Sequence, residues 1–259
     1  MIEGLDPLIL FISLILGFAG GFIDNALGMG YGLLTPFFIF LGFDPLLVVP
    51  TLLLSQMIAG FSGTIFHVFY KNVDFKGART RETRIYVLFT TSGVIGTVIA
   101  AIFAIKIEQW FILLYIGLMM IAVGIITRFK IKFNGSWHKL YIISAIAGFN
   151  KAISGGGYGP LVTSAQIMVG SDVKNSVGVT QFSESTISAI GYVIYLIYQD
   201  LTQVLFTIQM SIIMVISGAI AAPLGALLVK NLKEELARKI VGTSSLILGI
   251  ISIARLFVL

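Results

Sequence analysis

Apolar residues run along this chain in long blocks bounded by glycine, proline and short charged stretches, and ten such blocks can be drawn. In the first half they cover 8–27, 30–42, 46–70, 84–105 and 109–127; in the second, 137–154, 157–169, 173–198, 204–230 and 234–257. Crossing about 30 Å of hydrocarbon takes about 20 helical residues. Most blocks meet that length, whereas 30–42 and 157–169 fall short of it. Both short blocks begin at a glycine cluster, so each predicts a broken or re-entrant helix pair whose turn is the glycine loop. Irregular backbone at membrane depth is tolerated only inside protein or along a water-filled cavity. The two loops therefore mark a site.

The glycine clusters are two copies of one motif. Gly28 to Gly32 reads Gly-Met-Gly-Tyr-Gly and Gly155 to Gly159 reads Gly-Gly-Gly-Tyr-Gly, each with a Gly-Phe pair upstream, Gly21-Phe22 and Gly148-Phe149. After a slip of one residue the correspondence continues: Gly42 and Asp44 with Gly170 and Asp172, Ser55 with Ser183, Gln56 with Glu184, Gly63 with Gly191, Tyr70 with Tyr198. Further on, Ser92-Gly93 matches Ser217-Gly218, and Gly117 and Gly124 match Gly242 and Gly249. The chain reads as an internal duplication, residues 1–130 and 131–259, within one integral membrane domain.

Composition fixes the solvent. With 57% hydrophobic and 11% charged residues and a mean hydropathy of +1.00, polar groups could not cover the apolar surface in water. The absence of cysteine excludes disulfides and thiol chemistry. Glu3 and Asp6 precede the first block without any Lys or Arg, unlike the basic flank of a cleavable signal peptide. That block is expected to be the first membrane segment.

The net charge of +5 sits in short connections. Lys71, Lys76, Arg79, Arg81 and Arg84 form one cluster, Arg128, Lys130, Lys132 and Lys139 a second, and Lys230, Lys233, Arg238 and Lys239 a third. The positive-inside bias makes all three cytoplasmic and leaves the amino terminus and the turns near Asp44, Glu108 and Asp200 outside. Ten alternating segments starting outside satisfy every loop. Five segments per half is odd, so the second half is inverted relative to the first, a recurrent plan of secondary transporters. The expected fold is an all-α polytopic membrane protein, an inverted repeat of two five-segment halves.

Candidate chemistry gathers at the loops. Closely spaced glycines let amide groups approach a ligand, and a following helix points its positive end at it, which favours an anion. The bland alternative is close helix crossing. Asp24 and Lys151 each stand four residues before a glycine motif, with opposite sign. Two readings stay open: the residues pair across the interface, or Lys151 offsets a bound anion while Asp24 handles a proton. Asn25 and Asn150 beside them could add hydrogen-bond donors. The third block of each half carries a stripe at helical spacing, Gln56, Gly60, Gly63 and His67, and Thr180, Glu184, Ser188, Gly191 and Tyr195. Ionisable groups in apolar runs are functional candidates by default. Glu184 is therefore a candidate for proton coupling, against the alternative of a hydrogen bond to a serine or glutamine. Gln166 and Gln181 are weaker candidates, and His67 reads as interfacial. The Ser92, Gly96, Ala100 and Ser217, Ala221, Gly225 series are packing seams, and Trp110 and Trp137 are interface anchors. No metal-ligand cluster or nucleophile arrangement stands out, so an enzyme is not expected.

Two glycine motifs, each closing a first apolar segment and followed by a short apolar run, a turn with Asp and a long third helix, resemble the TauE/SafE (sulfite exporter) family of membrane transporters. The likeness covers nearly the whole chain, with Met29 interrupting the glycine run of the first copy. It implies export of sulfite, sulfoacetate or related organosulfonates, with Gly28, Gly30, Gly32, Gly155, Gly156, Gly157 and Gly159 carrying the family's glycine stretches. The resulting expectation is alternating-access export of such an anion. Asn25, Gln56, Asn150, Lys151 and Tyr158 join the glycines at the substrate, and Glu184 or Asp24 couples transport to protons. Expected partners are the anion and the bilayer, with no nucleic acid, no cofactor, and a homodimer left open. The competing readings are a channel or carrier for another small solute and a non-transporting assembly subunit.

Overall fold

The computed structural model of the protein describes residues 7–28, 31–75, 77, 80–129, 136–229 and 234–256. They form α1 (Pro7–Leu27), a 3-10 turn (Tyr31–Leu33), α2 (Leu34–Phe40), α3 (Pro45–Phe69), α4 (Arg81–Lys106) and α5 (Gln109–Arg128). The second half follows as α6 (Trp137–Ser154), α7 (Tyr158–Met168), α8 (Val173–Tyr198), α9 (Leu201–Leu228) and α10 (Glu234–Arg255). Among the described residues there is no strand. Each of the ten apolar blocks is a helix, and the two short ones are α2, with the 3-10 turn before it, and α7.

At about 1.5 Å per residue neither α2 nor α7 is long enough to cross a bilayer. Both end the same way: Gly42 and Gly170 take positive φ (105° and 86°), which a side chain resists. Two residues later Asp44 and Asp172 stand as the N-caps of α3 and α8. The Asp44 carboxylate accepts from the Leu46 amide at 2.8 Å. The Asp172 side chain makes no such cap bond, so the glycine turn and the position of the Asp are common to both copies and the carboxylate cap is not.

Five described helices, 7–27, 45–69, 81–106, 109–126 and 201–228, are long and apolar enough to span a membrane. The bundle has the reverse of a water-soluble pattern. Phe11, Ile65, Phe69, Ile95, Ile197 and Ile220 are more than half exposed, while Ser13, Asp24, Gln56, Lys151, Gln166, Gln181 and Ser211 are buried. In lipid the apolar side chains need no cover, and polar groups must find partners within the protein.

Glycines set the helix crossings. A Cβ on Gly17 would strike Met214 and Ser217, and one on Gly21 would strike Gly218, so α1 and α9 run side by side in the same sense. Gly148 lies against Gly93 and Gly96 against Ala145 and Phe149, while the Ser144 hydroxyl donates to the Phe89 carbonyl at 2.8 Å; α6 and α4 also run in the same sense. Gly191 meets Leu53, Gly60 meets Ser185 and Gly178 meets His67, so α3 and α8 cross in opposite senses. Gly117 against Gly249 and Gly124 against Leu246 set α5 and α10 in opposite senses. The two small-residue seams expected from sequence are the contact faces of α4 with α6 and of α9 with α1. Contacts gather the basic connections at one end of the bundle. Asn72 donates to the Ala226 carbonyl at 2.8 Å, Arg81 reaches the carbonyls of Val169 and Gly170, and Arg128 lies against Gly242. At the other end Gln199 donates to the Leu46 carbonyl at 3.1 Å.

Candidate substrate site at the paired glycine loops

The two glycine loops touch. Gly156 packs on the Gly32 backbone so closely that a side chain on it would collide with Gly32 Cα, and a side chain on Gly159 would collide with the Gly28 carbonyl. Gly28, Gly155 and Gly157 hold positive φ (67°, 72° and 79°), the left-handed conformation that ends α1, ends α6 and opens α7. Gly28, Gly32, Gly155, Gly156, Gly157 and Gly159 thus form one contiguous backbone surface where the halves meet, and Gly30 lies outside the described residues.

The crossing of α3 and α8 supplies the side chains. Gln56 and Gln181 each direct Nε2 to the Asp24 carboxylate at 2.7 Å, and Gln181 Nε2 also donates to the Asp24 carbonyl at 2.7 Å. Two amides from two halves thus converge on one buried acid at the end of α1. Beside it, Lys151 Nζ donates to Glu184 Oε1 at 2.8 Å, with both side chains buried. The other Glu184 oxygen, Oε2, has no hydrogen-bond partner among the described residues and lies 3.4 Å from where a Gly159 Cβ would stand. The Lys151 ammonium also sits 5.9 Å from the Tyr31 ring centroid, within reach of the ring's negative face.

Lys151 therefore pairs with Glu184, so the expected pairing of the two opposite charges with each other is not the one formed. The reason is register: α8 lies between the ends of α1 and α6, and it presents Gln181 to the first and Glu184, almost one turn on, to the second. Glu184 meets a lysine, where a serine or glutamine was the bland expectation. His67, expected at the interface, is fully buried, with Nδ1 3.1 Å from Asn72 Nδ2.

Other expected residues sit at the margin. Asn25 donates to the Gly21 carbonyl of its own helix at 2.8 Å, with its side-chain oxygen packed on Gly63. Asn150 borders Gly157 and accepts from the Tyr115 hydroxyl. Tyr158 is fully buried and donates to Ser183 at 3.0 Å. Ser154 closes the second loop, accepting from the Gly156 amide at 3.2 Å. Behind the first loop, Thr163 Oγ1 and Thr180 Oγ1 are 3.0 Å apart and Gln166 donates to Thr180 at 2.9 Å. Sequence reasoning named Tyr158 but missed Tyr31, although both are the tyrosine of Gly-Tyr-Gly. It ranked Gln181 below Gln56, although the two hold Asp24 equally.

The paired glycine loops are thus buried at a helix crossing and faced by a lysine, two acids and two amides. The sequence profile described as Sulfite exporter TauE/SafE matches residues 13–251. The chain belongs to that family. It is similar to the probable membrane transporter protein YtnM of Bacillus subtilis (strain 168), 25% identical over 249 residues that cover 90% of this chain and 79% of that protein. No solved structure gives a match. Family and relative, with the apolar spans, make this a multi-pass membrane transporter family member, and both names point away from an enzyme.

Proposed function

We propose that the protein exports a small sulfur-containing anion, sulfite, sulfoacetate or another organosulfonate, across the cell membrane by alternating access coupled to protons. The observation that carries this reading is the buried Lys151–Glu184 pair at the touching glycine loops, with one carboxylate oxygen unpartnered among the described residues. One ammonium and two ionised carboxylates leave the site with one negative charge, so an anion enters against it. A proton on Glu184 removes that charge and frees the ammonium for the anion's oxygens, which are strong acceptors for charge-assisted hydrogen bonds. Proton and anion then favour each other's binding and move together, outward when the anion's gradient outweighs the proton's.

Alternating access between inverted halves is supported by the helix directions. The contacts run α1 with α9 and α6 with α4 in one sense, and α3 against α8 and α5 against α10 in opposite senses. Continuity of the chain then makes each helix of the second half run opposite to its counterpart. The gathering of basic connections at one end supports the cytoplasmic placement of that end by the positive-inside bias.

The test is ligand-dependent stability. A ligand that binds only the folded state raises its apparent melting temperature with concentration. Sulfite, sulfoacetate, thiosulfate, taurine, sulfate and chloride are titrated against purified protein across pH, with Lys151→Ala alongside, followed by flux in proteoliposomes. One sulfur oxyanion should stabilise the wild type, more strongly at acidic pH, and leave Lys151→Ala unshifted. A folded protein that none of these anions stabilises or crosses defeats the proposal.

A further inference from the structure

Away from the glycine loops, a cavity of about 610 Å³ opens between the first turns of α4 and α6, lined by Arg84, Val87, Leu88, Thr91, Trp137 and Tyr141. These residues stand one helical turn apart on α4 and again on α6, so the cavity is a groove running along two helices that start at the same end. Its chemistry is graded. At the end of the bundle the groove is basic and amphipathic, with Arg84, Trp137 and Tyr141 all exposed. Further along it is aliphatic.

Three features give the basic end one sign. Both helices begin there, with Thr80 accepting from the Thr83 amide at 3.2 Å and Ser136 from the Lys139 amide at 3.3 Å, so two positive helix ends face the same space. The Arg84 guanidinium makes no hydrogen bond or ion pair among the described residues, unlike Arg81, which is spent on the carbonyls at the end of α7. The nearby acid, Glu82, is turned away and accepts from Asn175 at 2.7 Å. His138 and Lys139 add further basic groups on the first turn of α6.

We propose that this groove is a binding site for an anionic glycerophospholipid of the leaflet on the basic side. Arg84 meets the phosphate, Trp137 and Tyr141 hold the glycerol level as amphipathic rings do at membrane interfaces, and an acyl chain lies along Val87, Leu88 and Thr91. Charge complementarity selects the occupant: basic pockets between membrane helices attract anionic head groups, and a zwitterionic lipid brings a choline cation to a place that already holds an arginine. Because α4 and α6 pack against each other across the halves of the repeat, the lipid would brace that contact.

The experiment uses purified full-length protein in detergent, titrated with phosphatidylglycerol, phosphatidylcholine and soluble glycerol phosphate, with bound lipid counted by native mass spectrometry and stability followed by thermal unfolding. Phosphatidylglycerol should bind and raise the melting temperature; phosphatidylcholine and glycerol phosphate should do neither. Arg84→Gln should bind phosphatidylglycerol about five-fold more weakly, the effect of about 1 kcal/mol per basic residue at an anionic surface, and Arg84→Lys should keep most of it. Equal binding of the two lipids, or undiminished phosphatidylglycerol binding by a folded Arg84→Gln, overturns the proposal. A shift with glycerol phosphate alone also overturns it, because the site then takes a free phosphate.

Discussion

Replacing Lys151 by methionine tests whether the buried pair is an energetic unit. Lys151 is fully buried and Glu184 nearly so, 2.8 Å apart. Among the described residues the second Glu184 oxygen has no partner to take up the load. Removing one member of such a pair leaves an uncompensated buried charge, at a cost of about 3–5 kcal/mol. Glu184→Gln alone strands the ammonium and should lose a similar amount. The double variant Lys151→Met/Glu184→Gln carries no charge at either position, and replacing a buried pair by neutral groups of similar volume is often close to neutral. The double should therefore recover most of the loss, giving a coupling of about 3 kcal/mol or more between the two positions. Thermal unfolding of the four proteins at neutral pH, with helix content checked by circular dichroism, reads this directly. The stable double variant should also be inactive in anion flux, which separates folding from transport. Single losses that simply add in the double variant would show that the pair does not act as a unit and would remove the basis for its role as an exchangeable counter-charge.

Two further outcomes are expected. Gly156→Ala should be more damaging than Gly42→Ala. The first forces a methyl group into the Gly32 backbone and should cost about 3 kcal/mol or abolish anion-dependent stabilisation. The second meets open space and should cost only about 1–2 kcal/mol for its positive φ, so equal melting temperatures would contradict the touching loops. Single cysteines at Lys139 and Asp200 in this cysteine-free chain should react with an impermeant maleimide from opposite sides of intact cells or inverted vesicles. Labelling of both from one side would refute the alternating arrangement.

Helix number and limits were legible because lipid imposes a simple rule: apolar blocks must be long, and their ends carry Gly, Asp or basic residues. The ends of α3, α6 and α8 lie within about one residue of the pattern-based limits. The seams of small residues were legible for the same reason, since close crossings in lipid need small side chains. Partner choice was not. Opposite signs at Asp24 and Lys151 suggested a pair, but sequence spacing does not reveal that α8 runs between them and offers each a different residue. His67 was misplaced because position along a helix does not show that Asn72 and the end of α9 fold over it.

The two matching glycine motifs are surrounded by two different chemistries. At the position four residues before each glycine motif the first half has Asp24 and the second Lys151, and at the matching place on the third helix the first has Gln56 and the second Glu184. Identical copies would place like charges together at the crossing, where two lysines or two acids repel and neither is neutralised. Divergence resolves this: the acid of the first half is satisfied by neutral amides, Gln56 and Gln181, and the cation of the second half by a carboxylate. The two glycine loops meet in one close backbone contact, which demands glycine on both sides, whereas the side chains around them carry no such constraint and differ.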